Sequence, residues 1–201
     1  MKSSSFNTLA GWFAILAGVF GLLYAIAFVL ITRSRPELGV LLSALFLLIG
    51  GFCGFIALTG LFQHLREVEP SYALLGFMLA VGAAAGSLIH GGYDLSNALH
   101  PPATLNTDLP SPIDPRGLLT FGVASVGLFI FSWLMSRSSD FPKGLAYLGY
   151  LSAFLMIVLY LGRLIILDPS SRLILLPAAL EGFLVNPIWY IWLGVKLLSA
   201  K

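Results

Sequence analysis

Charge is what this sequence has least of. Of its 201 residues, 11 are Lys or Arg and 9 are Asp or Glu, or 10%, against about 25% in an ordinary soluble domain. The net charge is only +2. The basic residues form no patch or stripe of the kind phosphate binding requires, which excludes a nucleic-acid partner. Cysteine is nearly absent too. Cys53 stands alone, so there is no internal disulfide and no CxxC metal or redox site; it reads as a small apolar side chain at a helix contact. The three histidines, His64, His90 and His100, are too few for the clusters of membrane di-iron enzymes. A bis-histidine haem would need His64 and His90, which fall near opposite membrane faces. There is no mid-span lysine for a Schiff base, no Gly-x-Ser-x-Gly elbow, no arginine ladder and no TVGYG filter. Neither a metal nor a cofactor is expected.

What is present is apolar sequence in long blocks. Hydrophobic residues make up 58%. Uncharged runs cover 3–32, 38–65, 70–93, 117–136, 144–162 and 182–195, with lengths of 30, 28, 24, 20, 19 and 14 residues. A bilayer core about 30 Å thick needs about 20 apolar residues of helix. Five runs meet or nearly meet that length, and the sixth does so if Glu181 is admitted. This excludes a soluble enzyme and a disordered chain. The expectation is an all-α, polytopic six-helix membrane bundle, one domain over 1–201, with helices near 9–32, 38–62, 72–97, 117–136, 143–167 and 173–198. The apolar stretch from Leu9 to Ile31 is too long for a signal h-region of about 7–15 residues and reads as a retained first span.

The connections carry turn chemistry: RSRPE at 33–37, REVEP at 66–70, SRSSDFP at 136–142 and DPSS at 168–171. Short connections make successive helices antiparallel neighbours. The one long loop, 100–115, has five prolines in sixteen residues and reads as stiff and non-helical. An even number of spans puts both termini on one side. Lys2, Arg66, Arg137, Lys143, Lys196 and Lys201 lie there, and Arg33, Arg35, Arg116 and Arg172 lie opposite. The positive-inside rule then places both termini in the cytoplasm and the long loop outside. Gly50/Gly54 and Gly82/Gly86 have the small-xxx-small spacing of close helix contacts. Trp12, Trp133, Trp189 and Trp192 read as interface anchors.

Ionisable groups inside spans are functional candidates by default. Glu181 lies about 12 Å into the last helix at 1.5 Å per residue, between Pro177 and Pro187. It reads either as a carboxylate lining a polar cavity or as a structural group, protonated or paired with Arg163. In a hairpin centred near Ser170, Arg163 falls about four residues from level with Glu181, and Tyr160 nearly level with it. His90 and Asp94 share a face of helix three at i, i+4 spacing, with Asn97 below. A carboxylate one turn from a histidine can fix its tautomer. All of these positions fall in the outer half of the membrane, so His90, Asp94, Asn97, Tyr160, Arg163 and Glu181 make one candidate polar pocket under the 100–115 loop.

Two stretches carry a resemblance. Leu58–Ala80, containing LFQHLREVEPSYALLGFMLA, and Phe141–Leu198, containing FPKGLAYLGYLSAF and PIWYIWLGVKLL, are similar to an uncharacterised prokaryotic family of multi-span membrane proteins. The resemblance implies six helices and a prokaryotic inner membrane. It implies no activity and no site residues. Three function classes follow from the sequence as a whole. The first is a structural, accessory or regulatory membrane subunit. The second is a small-solute or proton-linked transporter with an outward-facing pocket. The third is an intramembrane or lipid-modifying enzyme. The partners expected are the lipid bilayer and either a second copy or another membrane subunit.

Overall fold

The computed structural model describes residues 4–101, 117–166 and 171–199, Ser4 and Arg163 by backbone alone. The long loop beyond Pro101, and Asp168, Pro169 and Ser170 of the last connection, lie outside the described residues. Six helices are long and apolar enough to cross a membrane: α1 Ser5–Ser34, α2 Pro36–Leu65, α3 Pro70–Leu99, α4 Leu118–Arg137, α5 Lys143–Ile166 and α6 Arg172–Ser199. No strand occurs among the described residues. The chain is an all-α membrane protein.

Helices α1 to α3 extend two to four residues past the expected helix bounds of 9–32, 38–62 and 72–97 at each end. Two prolines explain the sharp starts. Pro36 and Pro70 open their helices, where a missing N–H costs nothing and a fixed φ is already helical. The residue before each proline is driven out of the helical region. Arg35 (φ −141°, ψ 82°) and Glu69 (φ −154°, ψ 98°) accordingly make the breaks.

The helices pack in a closed ring, each against its sequence neighbours, with α1 closing on α6. Glycines bring the α1 and α6 backbones close together. A Cβ added to Gly194 would lie 2.5 Å from the Gly11 carbonyl oxygen and 2.9 Å from the Ile15 nitrogen. One added to Gly18 would lie 2.8 Å from the Pro187 carbonyl oxygen. Without a hydrophobic drive between helices in lipid, such close approach is what holds them. The expected glycine pairs behave differently. Gly86 touches Leu119 and Gly54 approaches Tyr190, whereas Gly82 faces open space.

The two halves of the ring differ. On the side of the termini, Leu61, Leu65, Phe131, Leu134, Met135, Leu145, Trp189, Leu193 and Leu197 form a fully packed apolar plug. Trp189 is 1% exposed there and is a core residue, not an interface anchor; Trp12, 57% exposed, fits the anchor role. Cys53 is buried. The other half of the ring is not filled.

Candidate functional site

A cavity of about 200 Å³ occupies that half, and all six helices line it. Small residues make the space: Gly21 on α1, Gly50, Gly51 and Gly54 on α2, Ala80, Ala83 and Ala84 on α3, and Gly182 on α6. Aromatic side chains form much of the wall: Tyr24, Phe46, Phe121, Phe131 and Tyr190. The polar groups are few: Ser87, Thr120, Glu181 and Asn186, with the two tyrosine hydroxyls.

Local sequence explains how Glu181 reaches the interior. It lies nine residues past Arg172, about 14 Å along the helix axis at 1.5 Å per residue. Pro177 interrupts the helix ladder before it and Pro187 after it, each removing one N–H. Between them, Glu181–Val185 forms a π-helical turn, in which the Asn186 N–H donates to the Glu181 carbonyl. A second π turn, Leu118–Val123, carries Thr120 and Phe121 to the cavity. Such turns widen a helix locally and recur at functional sites.

The Glu181 side chain is 5% exposed. Its Oε1 accepts a hydrogen bond from Ser152 Oγ of α5 at 2.5 Å, and the Asn186 side chain lies beside the carboxyl group. Its Oε2 is buried with no hydrogen-bond partner among the described residues, and the same holds for Thr120 Oγ1. Gly21 allows this crowding, since an added Cβ would stand 2.9 Å from Asn186 Oδ1. Among the described residues, no Lys, Arg or His lines the cavity.

Of the six residues expected to form a polar pocket, Glu181 alone lines this space among those described. His90 and Asp94 do meet each other, Nε2 to Oδ2 at 3.2 Å. They lie outside the lining because α3 carries them past it. Ser87 borders the cavity, and Asp94 is seven residues, about 10 Å of helical rise, further toward the helix end. Asn97 lies further still. Tyr160 packs against Gly122 of α4. It is not level with Glu181, because α5 and α6 pair in a different register: the residue opposite Glu181 is Ser152, eight residues and about 12 Å away along α5. The side chain of Arg163 lies outside the described residues. Its backbone is eleven residues beyond Ser152, about 16 Å by helical rise.

Sequence reasoning did not find Ser152, Asn186, Thr120 or Tyr190. It also passed over His64, which is buried in the plug, packed edge-on against Phe141 at 5.9 Å, with Nδ1 3.9 Å from Asp140 Oδ2. Among the described residues, no group of three or more His, Cys, Asp or Glu is placed to hold a metal ion. In comparisons with protein-family models, curated proteins and solved structures, the chain matches none.

Proposed function

We propose that this chain is a proton-linked carrier of small, largely apolar solutes in a prokaryotic inner membrane, with both termini in the cytoplasm and the cavity facing outward. One observation carries the reading. Glu181 is buried in an apolar cavity with one carboxyl oxygen left without a hydrogen-bond partner among the described residues. An ionised carboxylate withdrawn from water costs several kcal/mol unless a cation or hydrogen bonds compensate it, and no cationic side chain lines the cavity among the described residues. The Ser152 hydroxyl, and the Asn186 side chain beside the group, compensate it only in part. A solute that replaces its proton, or accepts from it, couples binding to proton movement. A purely structural subunit has no need of such a group, since an apolar residue of similar size would fill the position at less cost. The plug closes the cavity on the terminal side, as one state of an alternating carrier requires.

The test uses the full chain in proteoliposomes loaded with a pH-sensitive dye. Small cationic, neutral and anionic solutes that do not cross protein-free vesicles are added in turn. At least one class drives a luminal pH change in the parent protein and not in Glu181→Gln. If no class does, the carrier reading is wrong. Labelling of a cysteine placed after Ser199 checks the orientation: protection from an impermeant reagent added outside cells is the expected result.

A further inference from the structure

The cavity's chemistry narrows the class of solute, and this step rests on the carrier reading above. Among the described residues, the wall carries one Asp, Glu, Lys, Arg or His side chain, the Glu181 carboxyl. Its unpartnered Oε2 requires a hydrogen-bond donor. The Thr120 hydroxyl oxygen, also without a partner among the described residues, can accept a second bond. Around them stand Tyr24, Phe46, Phe121, Phe131 and Tyr190. Aromatic faces carry negative charge density and attract ammonium groups, more strongly when water is excluded. An anion meets a carboxyl and five aromatic residues and finds no cation among the described residues. A neutral solute gains the apolar contact but draws nothing from the carboxylate charge.

Size follows from the volume. A dry apolar cavity of about 150 Å³ accepts benzene, six heavy atoms, or about 25 Å³ for each. At that density the present cavity, about 200 Å³, holds about eight heavy atoms. We infer that it takes a small monovalent arylalkylammonium ion, such as benzylammonium, with the ammonium on Glu181 and Thr120 and the ring among the aromatic residues. No covalent bond is made or broken except the O–H bond of the carboxyl group. Glu181 gives up one proton to water as one cation enters, so charge in the cavity is conserved. The other titratable groups facing Glu181 among the described residues are the phenols of Tyr24 on α1 and Tyr190 on α6; α2, α3, α4 and α5 contribute none to the lining.

The experiment is titration calorimetry on the full chain in detergent micelles, from about pH 5 to about pH 8. Three probes of similar size are used: benzylammonium, benzyl alcohol and benzoate. The amine stays protonated throughout that range. Benzylammonium binds tightest, and its affinity rises with pH by up to tenfold per unit, the limit for one exchanged proton. Repeating the titration in buffers of different ionisation enthalpy reports release of up to one proton per site. Glu181→Gln weakens benzylammonium at least tenfold and flattens the pH dependence. Glu181→Asp keeps the slope at lower affinity, which guards against a glutamine variant that fails to fold. Benzyl alcohol or benzoate binding as tightly as benzylammonium overturns the inference, and so does a glutamine variant that binds the amine like the parent. If proton flux in vesicles persists with one of those solutes, the carrier reading survives and only the cation class falls. If no solute moves protons through Glu181, the carrier reading falls, whatever binds.

Discussion

Replacing Gly194 by alanine tests the argument that backbone contact between α1 and α6 closes the ring. The added methyl carbon would lie 2.5 Å from the Gly11 carbonyl oxygen, 2.6 Å from Ile15 Cγ1 and 2.9 Å from the Ile15 nitrogen. Ordinary carbon contacts lie at about 3.5–4.0 Å, so the helices must part by about 1 Å. Two of the three obstacles are backbone atoms, which no rotamer change can move. Overpacking of this kind costs about 1–3 kcal/mol. A gap of 0.5–1 Å also forfeits about a quarter to a half of each dispersion contact along the crossing. The higher helix propensity of alanine returns at most about 1 kcal/mol. The net loss expected is about 2 kcal/mol. Reversible unfolding in mixed detergent micelles would measure it. Gly82→Ala is the control, because nothing lies within 4 Å of the added carbon; it is expected to be neutral or slightly stabilising. If Gly194→Ala unfolds like the parent, or if the two variants lose the same amount, close backbone approach is not what holds α1 to α6.

Ser152→Ala removes the hydrogen bond to Glu181 Oε1. The expected loss is about 1–3 kcal/mol for stranding a buried acceptor, and it should shrink in a Glu181→Leu background; equal losses in both backgrounds would mean that the serine acts elsewhere. In the plug, His64→Ala should cost about 2–4 kcal/mol, as large-to-small core changes do. Asp140→Asn should cost under about 1 kcal/mol, since Asp140 is 48% exposed and 3.9 Å from the ring. Chemical melts of the two variants decide whether packing or charge holds the histidine, and a larger loss for Asp140→Asn would reverse the assignment. Gly54→Leu points a side chain toward Tyr190 Oη, 3.3 Å from the added Cβ. It should lower benzylammonium affinity at least tenfold, and unchanged affinity would place the binding site outside this cavity.

The helices were legible because two signals agree. Apolar runs set the lengths, and Pro36, Pro70 and Pro142 mark starts that hydropathy alone blurs. The ring order was not legible, because nothing along the chain states that α1 returns to α6. The spacing of the glycines there is seven residues, Gly11 to Gly18, outside the small-xxx-small pattern, and 21 glycines supply many rival pairs. Glu181 stood out because a carboxyl between two prolines within a span is costly on its face. Its partners did not, because serine, threonine, asparagine and tyrosine cost little in a helix and at least one of the four occurs on every span. Which of them meets Glu181 depends on the α5–α6 register, and a hairpin drawn symmetrically about Ser170 misses Ser152 by two turns. The π turns add a second source of error. Each inserts one residue into the i→i−4 ladder and rotates everything beyond it by about 100° relative to a regular helix of 3.6 residues per turn. Face arithmetic that runs through Leu118–Val123 or Glu181–Val185 therefore points the later side chains in the wrong direction. Those are two of the segments that carry polar groups to the cavity, so periodicity read from sequence fails at the site where the helices depart from regularity.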